Sequence, residues 1–258
     1  MAHQSLEDFI KAAREIREAE FVDGADLVTD VGCLTELFAE RAGPMLVFDK
    51  FAGHDAGFRV AANALKTPRR FALAMGFPVD THPVELCRLW KERRKKLGAV
   101  PPREVSDGPV LECSQRGESV DLTRFPAPLW HSGDGGRYIG TGDMVIVRDP
   151  DEGWVNIGVY RGMLQGPKRL SLWINPMKHG RIIIEKYWAQ GRNAPVAVVL
   201  GCDPLTWMTA GMSPPYGTSE YEVAGAYRGE PVEVVKLADT GLPVPAHAEI
   251  VIEGIVDT

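Results

Sequence analysis

Between residues 101 and 109 the chain changes its pattern. Pro101, Pro102 and Pro109 lie in this stretch, and proline can neither continue a helix nor donate to a sheet ladder. Before it, apolar residues recur at helical spacing in segments separated by short strand-like runs; after it come short Val/Ile-rich runs separated by Gly and Pro. Such a switch divides the chain into a small α/β region, residues 1–105, and a β-rich region, residues 106–258, whose strands and turn signals point to a barrel or sandwich. The fold class read from this pattern is α+β.

In the first region, Ser5 with Asp8 marks a helix start, a carboxylate variant of the capping box, and Leu6, Phe9, Ile10, Ala13 and Ile16 make one apolar face. A second helix is expected over 34–42, stopped by Gly43-Pro44, with buried strands at 45–48 and 58–62. Thr67-Pro68 opens another helix, and a long one over 83–97 ends at Gly98. In the second region strands are expected at 144–147, 154–161, 171–174, 196–200, 232–236 and 249–256, with one principal helix at 180–190.

A net charge of −6, with no basic stripe interleaved with aromatics, argues against general nucleic-acid binding. The run Arg93, Arg94, Lys95, Lys96 reads as a solvated helix face. No apolar stretch reaches the roughly 18 residues needed to span a membrane, and the polar start M-A-H-Q-S-L-E-D has no apolar signal core, so a cytoplasmic location is expected. Cys33, Cys87, Cys113 and Cys202 lie far apart without C-x-x-C spacing; zinc-ribbon and thioredoxin-type readings fail, and reduced, mostly buried thiols are expected.

The chemistry concentrates in W-V-N-I-G-V-Y-R at 154–161 and K-H-G at 178–180. Read as one strand, the first puts Asn156 and Arg161 on opposite faces. An amide and a guanidinium among apolar residues are costly to bury unless paired, so the segment is either an amphipathic strand with a polar edge or a place where an anion or a metal is held. His179 follows Pro176 in a loop-like stretch, and Glu220 lies in T-S-E-Y-E after the turn Pro214-Pro215-Tyr216-Gly217. Asn156, His179 and Glu220 together offer an amide oxygen, an imidazole and a carboxylate, a mixed set that suits manganese or magnesium completed by phosphate better than structural zinc. The glycine-rich segment 131–143 has no G-K-[ST] ending and reads as a hairpin-forming loop rather than a phosphate cradle. G-x-S-x-G, H-E-x-x-H and an early dinucleotide fingerprint are all absent.

Taken in order, the segments resemble the UbiD-like decarboxylases that use prenylated FMN. The resemblance is carried by F-A-E-R-A-G-P-M-L-V-F-D from Phe38, N-A-L-K-T-P-R-R-F-A from Asn63, L-T-R-F-P-A-P-L-W-H from Leu122, D-G-G-R-Y-I-G-T-G-D, W-V-N-I-G-V-Y-R, K-H-G, S-E-Y at 219–221, R-G-E-P-V-E-V-V-K from Arg228 and V-P-A-H-A-E-I-V-I-E-G from Val244. It implies a split β-barrel of flavin-reductase type after the α/β region, binding prenylated FMN through Asn156, Ile157, Gly158, Arg161, Lys178 and His179. It further implies manganese on Asn156, His179 and Glu220, a potassium ion held partly by backbone carbonyls around 209–212, and Arg161 as the catalytic arginine that grips the substrate carboxylate. A guanidinium is well suited to that role, being planar, always charged and bidentate. A flavin prenyltransferase is implied as supplier of the cofactor.

The sequence also departs from the family. The E-G-P-x-G-E motif with its two glutamates would follow the A-E-I-V-I-E-G strand, and the sequence stops at Thr258; Glu249 and Glu253 belong to the strand before it and do not replace them. The C-terminal family domain is likewise missing from the sequence. Two functions remain open: the cofactor-binding part of a decarboxylase acting on an aromatic or α,β-unsaturated carboxylic acid, as a truncated chain or as a subunit completed by another, or a non-catalytic flavin-binding or assembly module. An exposed edge at 249–256 would recruit a partner chain or a second copy, so an oligomer is expected.

Overall fold

The computed structural model describes residues 3–257. Helix α1 (Leu6–Glu15) is capped as its sequence predicts: Ser5 Oγ accepts from the Asp8 N–H at 3.1 Å, and Phe9, Ile10 and Ala13 turn inward. Strand β1 (Ala19–Asp23) follows, an element the sequence reading lacked. It pairs in parallel with β2 (Met45–Asp49) across α2 (Val31–Glu40), and β3 (Val60–Ala62) adds to β2 antiparallel. Helix α3 (Pro68–Met75) starts at a Thr67 cap and stops where Gly76 takes a left-handed φ of 66°, a conformation that glycine adopts without penalty. Helix α4 (Pro83–Lys95) completes this layer. Arg93 departs from the expected solvated face: it donates to the Met75 carbonyl at 2.5 Å and lies over the Phe77 ring.

The remaining elements are β4 (Arg103–Glu104), β5 (Tyr138–Gly140), β6 (Met144–Arg148), β7 (Val155–Gly158), β8 (Arg161–Gly166), β9 (Arg169–Trp173), α5 (His179–Ala189), β10 (Ala194–Leu200), α6 (Pro204–Ala210), α7 (Glu220–Arg228), β11 (Glu233–Lys236), β12 (Pro243–Pro245) and β13 (Ile250–Val256). The strands expected to build one barrel lie in three open sheets, ordered β13-β10-β6-β7, β12-β11-β4 and β5-β8-β9, and none closes on itself. The architecture is mixed α/β. Strand β13 is at an edge of its sheet, and Ile255 on it is 63% exposed.

Three expectations are corrected here. The single strand at 154–161 is two strands in two sheets, because the chain turns at Val159 and the Tyr160 ring folds back over Gly158. An added Cβ at Gly158 would come within 2.4 Å of that ring. Gly158→Ala is therefore expected to destabilise the chain by about 1–3 kcal/mol, read as a lower urea midpoint; an unchanged midpoint would show that the ring can move aside. The expected principal helix is α5, but two shorter helices that the sequence reading lacked, α6 and α7, follow it. The four cysteines are free, but Cys33, Cys87 and Cys113 are exposed and only Cys202 is buried, since the first two fall on outward positions of α2 and α4 and the third lies in a surface loop.

One apolar core runs through both regions, joining Phe9, Met45, Val47 and Met75 to Met144, Ile146, Ile157 and Val199. Alternate residues of β6 point the other way, so Val145 and Val147 meet Ile183 and Ile184 of α5 in a second cluster. The central strands are thus buried on both faces, which explains their unbroken Val/Ile runs. Among the described residues no helix is long and apolar enough to cross a membrane.

Candidate metal and cofactor site

Strand β7 carries Asn156 into the interior, where it is 2% exposed, and α7 begins at Glu220, also 2% exposed, after a Ser219 N-cap. The two side chains meet: Glu220 Oε1 accepts from Asn156 Nδ2 at 3.0 Å, and Oε2 accepts from the Ile157 N–H at 2.7 Å. Glu220 is therefore the first residue of a helix, not a loop residue, and its carboxyl sits where the helix dipole favours negative charge. Burial still pushes it up to about 8, against the lowering effect of the Ile157 N–H and the Asn156 amide. A nearby cation is what would offset such desolvation.

The other end of the amide is free. Asn156 Oδ1 is buried and has no hydrogen-bond partner among the described residues. It faces Gly180, where an added Cβ would lie 3.3 Å from it and 2.9 Å from the Tyr160 hydroxyl. Any larger residue at 180 would fill this space. Gly180 follows His179, the first residue of α5, whose ring stands edge-on to Trp154 (6.0 Å between centroids) and Tyr216 (5.2 Å). An unpaired amide oxygen from β7 and a buried carboxylate from α7 thus meet, and Gly180, the neighbour of the half-buried His179 on α5, lies against the amide oxygen. Among the described residues no three His, Cys, Asp or Glu side chains gather, so a metal here would depend on the Asn156 oxygen as its third protein donor. The chemistry of the set fits a hard divalent cation with phosphate in its shell.

The other expected positions are placed as follows. Lys178 is the exposed N-cap of α5, and Ile157 and Gly158 are buried on β7. Residues 209–212 form the C-terminal end of α6, where helix carbonyls lose their partners; the Thr209 carbonyl accepts from the Met212 N–H at 2.9 Å. Arg161 stands apart from the trio. It opens β8 opposite Trp173, is exposed, and lines a cleft of about 990 Å³ together with Thr141, Gly142 and Trp207, a cleft that Asn156, His179 and Glu220 do not line.

Sequence reasoning missed Asp149, Lys186 and Tyr216. Asp149 Oδ1 accepts from the N–H groups of Asp151 (2.9 Å) and Glu152 (3.1 Å), and Oδ2 from Lys186 Nζ (2.7 Å) and Tyr216 Oη (2.8 Å). Burial pushes this carboxyl up, but the Lys186 ammonium, the Glu152 N–H, the Tyr216 hydroxyl and the Asp151 N–H together bring it down to about 2. The available signal was the turn sequence D-P-D-E-G at 149–153, in which an aspartate accepts from backbone two and three residues on.

Comparison with known proteins agrees with this architecture. Residues 19–90 match the 3-octaprenyl-4-hydroxybenzoate carboxy-lyase N-terminal domain, and residues 103–258 match the 3-octaprenyl-4-hydroxybenzoate carboxy-lyase Rift-related domain, UbiD. The chain belongs to the UbiD family. It is 37% identical over 248 residues to the pyrrole-2-carboxylic acid decarboxylase of Pseudomonas aeruginosa, covering 92% of this chain and 50% of that protein. Against the phenolic acid decarboxylase of a Streptomyces species it is 35% identical, covering 83% of this chain and 46% of that one. An evolved dimeric form of the UbiD-class enzyme HmfF from Pelotomaculum thermopropionicum, solved in complex with prFMN, superposes with a TM-score of 0.87 at 30% identity, covering 98% of this chain and 57% of that one. The chain thus spans about half the length of the curated UbiD relatives it matches.

Proposed function

We propose that this chain is the cofactor-binding part of a UbiD-family carboxy-lyase. The reaction is the reversible, non-oxidative decarboxylation of an aromatic or α,β-unsaturated carboxylic acid with prenylated FMN. The observation that carries this reading is the meeting of Asn156 and Glu220, with the Asn156 oxygen left unpaired against Gly180, the residue after His179. The relatives' names support it, being decarboxylases of a pyrrole acid and of phenolic acids, as does the prFMN complex of HmfF.

In this reading Asn156, His179 and Glu220 hold manganese against the cofactor phosphate, and the carbonyl-rich end of α6 at 209–212 contributes to a potassium site. The backbone at Ile157 and Gly158 and the side chains of Lys178 and Arg161 complete the cofactor contacts. The modified flavin, when bound, supplies the electron sink that loss of CO₂ requires. The chain's own residues bind and orient: Arg161 fixes the substrate carboxylate at the open cleft, and Asn156, His179 and Glu220 keep the phosphate end in place. The division at 105/106 separates an α/β region from a cofactor-binding region, whose open sheets we take together as the split barrel of flavin-reductase type. A flavin prenyltransferase would supply the cofactor, and the protein would work in the cytoplasm as an oligomer.

The test is to purify the chain after co-expression with a flavin prenyltransferase and to look for the modified flavin by absorbance and mass spectrometry, with manganese measured by elemental analysis. Stoichiometric cofactor and metal are expected; neither being retained would overturn the reading. His179→Ala and Glu220→Ala should each weaken metal binding by about 100-fold, at least as much as removing an outer partner of a ligand costs, and should lose the cofactor in parallel. Metal content equal to wild type in both variants would remove these residues from the site.

A further inference from the structure

Asp149 belongs to none of the ligand positions, yet it is tied to β7, to α5 and to the segment that leads into α7. It sits in the turn between β6 and β7, where its N–H donates to the Trp154 carbonyl at 2.9 Å, two residues before Asn156. Lys186, which donates to Oδ2, lies on α5, the helix that begins at His179. Tyr216, which donates to the same oxygen, lies in the segment leading to Glu220. The turn itself needs only Oδ1, which takes the two backbone N–H groups. Oδ2 serves the other two elements alone. A fully buried carboxylate cannot lose such partners cheaply, so the three elements are held to one another through it.

Tyr216 adds a second constraint. The residue is 41% exposed, and its hydroxyl bond to Asp149 fixes the ring. So fixed, it stands edge-on to both His179 (86°) and Trp154 (76°), the arrangement aromatic pairs prefer. The geometry points to Asp149 as the positioning residue of this site: one buried carboxylate that sets β7, α5 and the approach to α7 in register, with Tyr216 as the latch against the His179 ring. This rests on the reading of Asn156, His179 and Glu220 as metal ligands given above. Partners of this kind orient ligands and tune affinity without touching the metal.

The test uses Mn²⁺ and FMN as probes on the chain, with affinity measured by titration, the bound Mn²⁺ signal by electron paramagnetic resonance, and stability by urea unfolding. Tyr216→Phe keeps the ring and removes only the hydroxyl. It is expected to weaken Mn²⁺ binding in the presence of FMN about tenfold and to broaden the Mn²⁺ signal, with a urea midpoint lowered less than in Asp149→Asn because Lys186 still donates to Oδ2. Asp149→Asn should do more, and Lys186→Arg, which keeps the cation, should stay near wild type. Wild-type affinity and signal in Tyr216→Phe would overturn the inference, even if Asp149→Asn failed to fold. If the wild-type chain itself binds no Mn²⁺ with FMN, the ligand reading falls and this inference with it, a result separable from the first because it appears before any variant is made.

Discussion

Asp143→Asn is expected to make the chain more stable at pH 8 while changing it far less at pH 4. Asp143 is fully buried just before β6, and neither carboxylate oxygen has a hydrogen-bond partner among the described residues. The carboxyl packs against Gly140, where an added Cβ would come within 2.6 Å of Oδ2. Burial alone raises the group to about 7 from 3.8, with only its own backbone N–H opposing. The folded state therefore holds this proton more tightly than the unfolded chain does. The contribution of Asp143 to stability is greatest below about pH 4, falls as the pH rises through the window from about 4 to 7, and is level above it. The whole difference is about 4 kcal/mol, from roughly three units at 1.36 kcal/mol each. Asparagine keeps the shape and cannot ionise, so the variant lacks this slope. Glu220 and Glu249, also raised by burial, are common to both proteins and cancel in the comparison. Urea unfolding at pH 4, 6 and 8 measures it, and parallel pH profiles would show that Asp143 finds a partner in solution.

How far the sequence could be read depends on where each signal is local. The caps of α1 and α3 are local chemistry, a hydroxyl three residues before a backbone N–H, and both formed as expected. Strands β6 and β10 are buried on both faces, and their Val/Ile runs say so. Strand β1 reads A-E-F-V-D and buries only Ala19, so it carries no alternation; its pairing with β2 is a tertiary fact. Helices α6 and α7 do have caps, at Asp203 and Ser219, but both are short and flank the proline-rich turn, which masked them. The break at Val159 did have a local signal, Gly158 inside a strand-like run, but the Val, Ile and Tyr around it outweighed it. At the site, no spacing says that Asn156 and Glu220, 64 residues apart, share a hydrogen bond; donor chemistry and the resemblance grouped them, and neither gave their contact. Asp149 had no such support, since its value lies in two partners from distant segments.

Under the proposed function, Arg161→Ala is expected to lower turnover of the carboxylic acid by about 100-fold or more, the scale of losing one charge-stabilising donor, while the metal stays bound and the cofactor is kept by its remaining contacts. The separation follows from placement. Asn156 and Glu220 are locked together in the interior, whereas Arg161 opens a strand of another sheet and faces the cleft beside Thr141, Gly142 and Trp207. Its side chain makes no hydrogen bond or ion pair within the described residues, so its removal strands no buried partner and costs the fold little. A guanidinium held ready in this way is free to take a carboxylate through two parallel N–H bonds. Arg161→Lys should recover only part of the rate, because an ammonium supplies charge without the fork. The check is acid consumed per bound cofactor in the assembled, active protein, with manganese measured on the same sample. Loss of turnover with full manganese, set against loss of both in Glu220→Ala, would divide the site into a part that grips the cofactor and a part that grips the acid. Equal rates in wild type and Arg161→Ala would leave the arginine without that role.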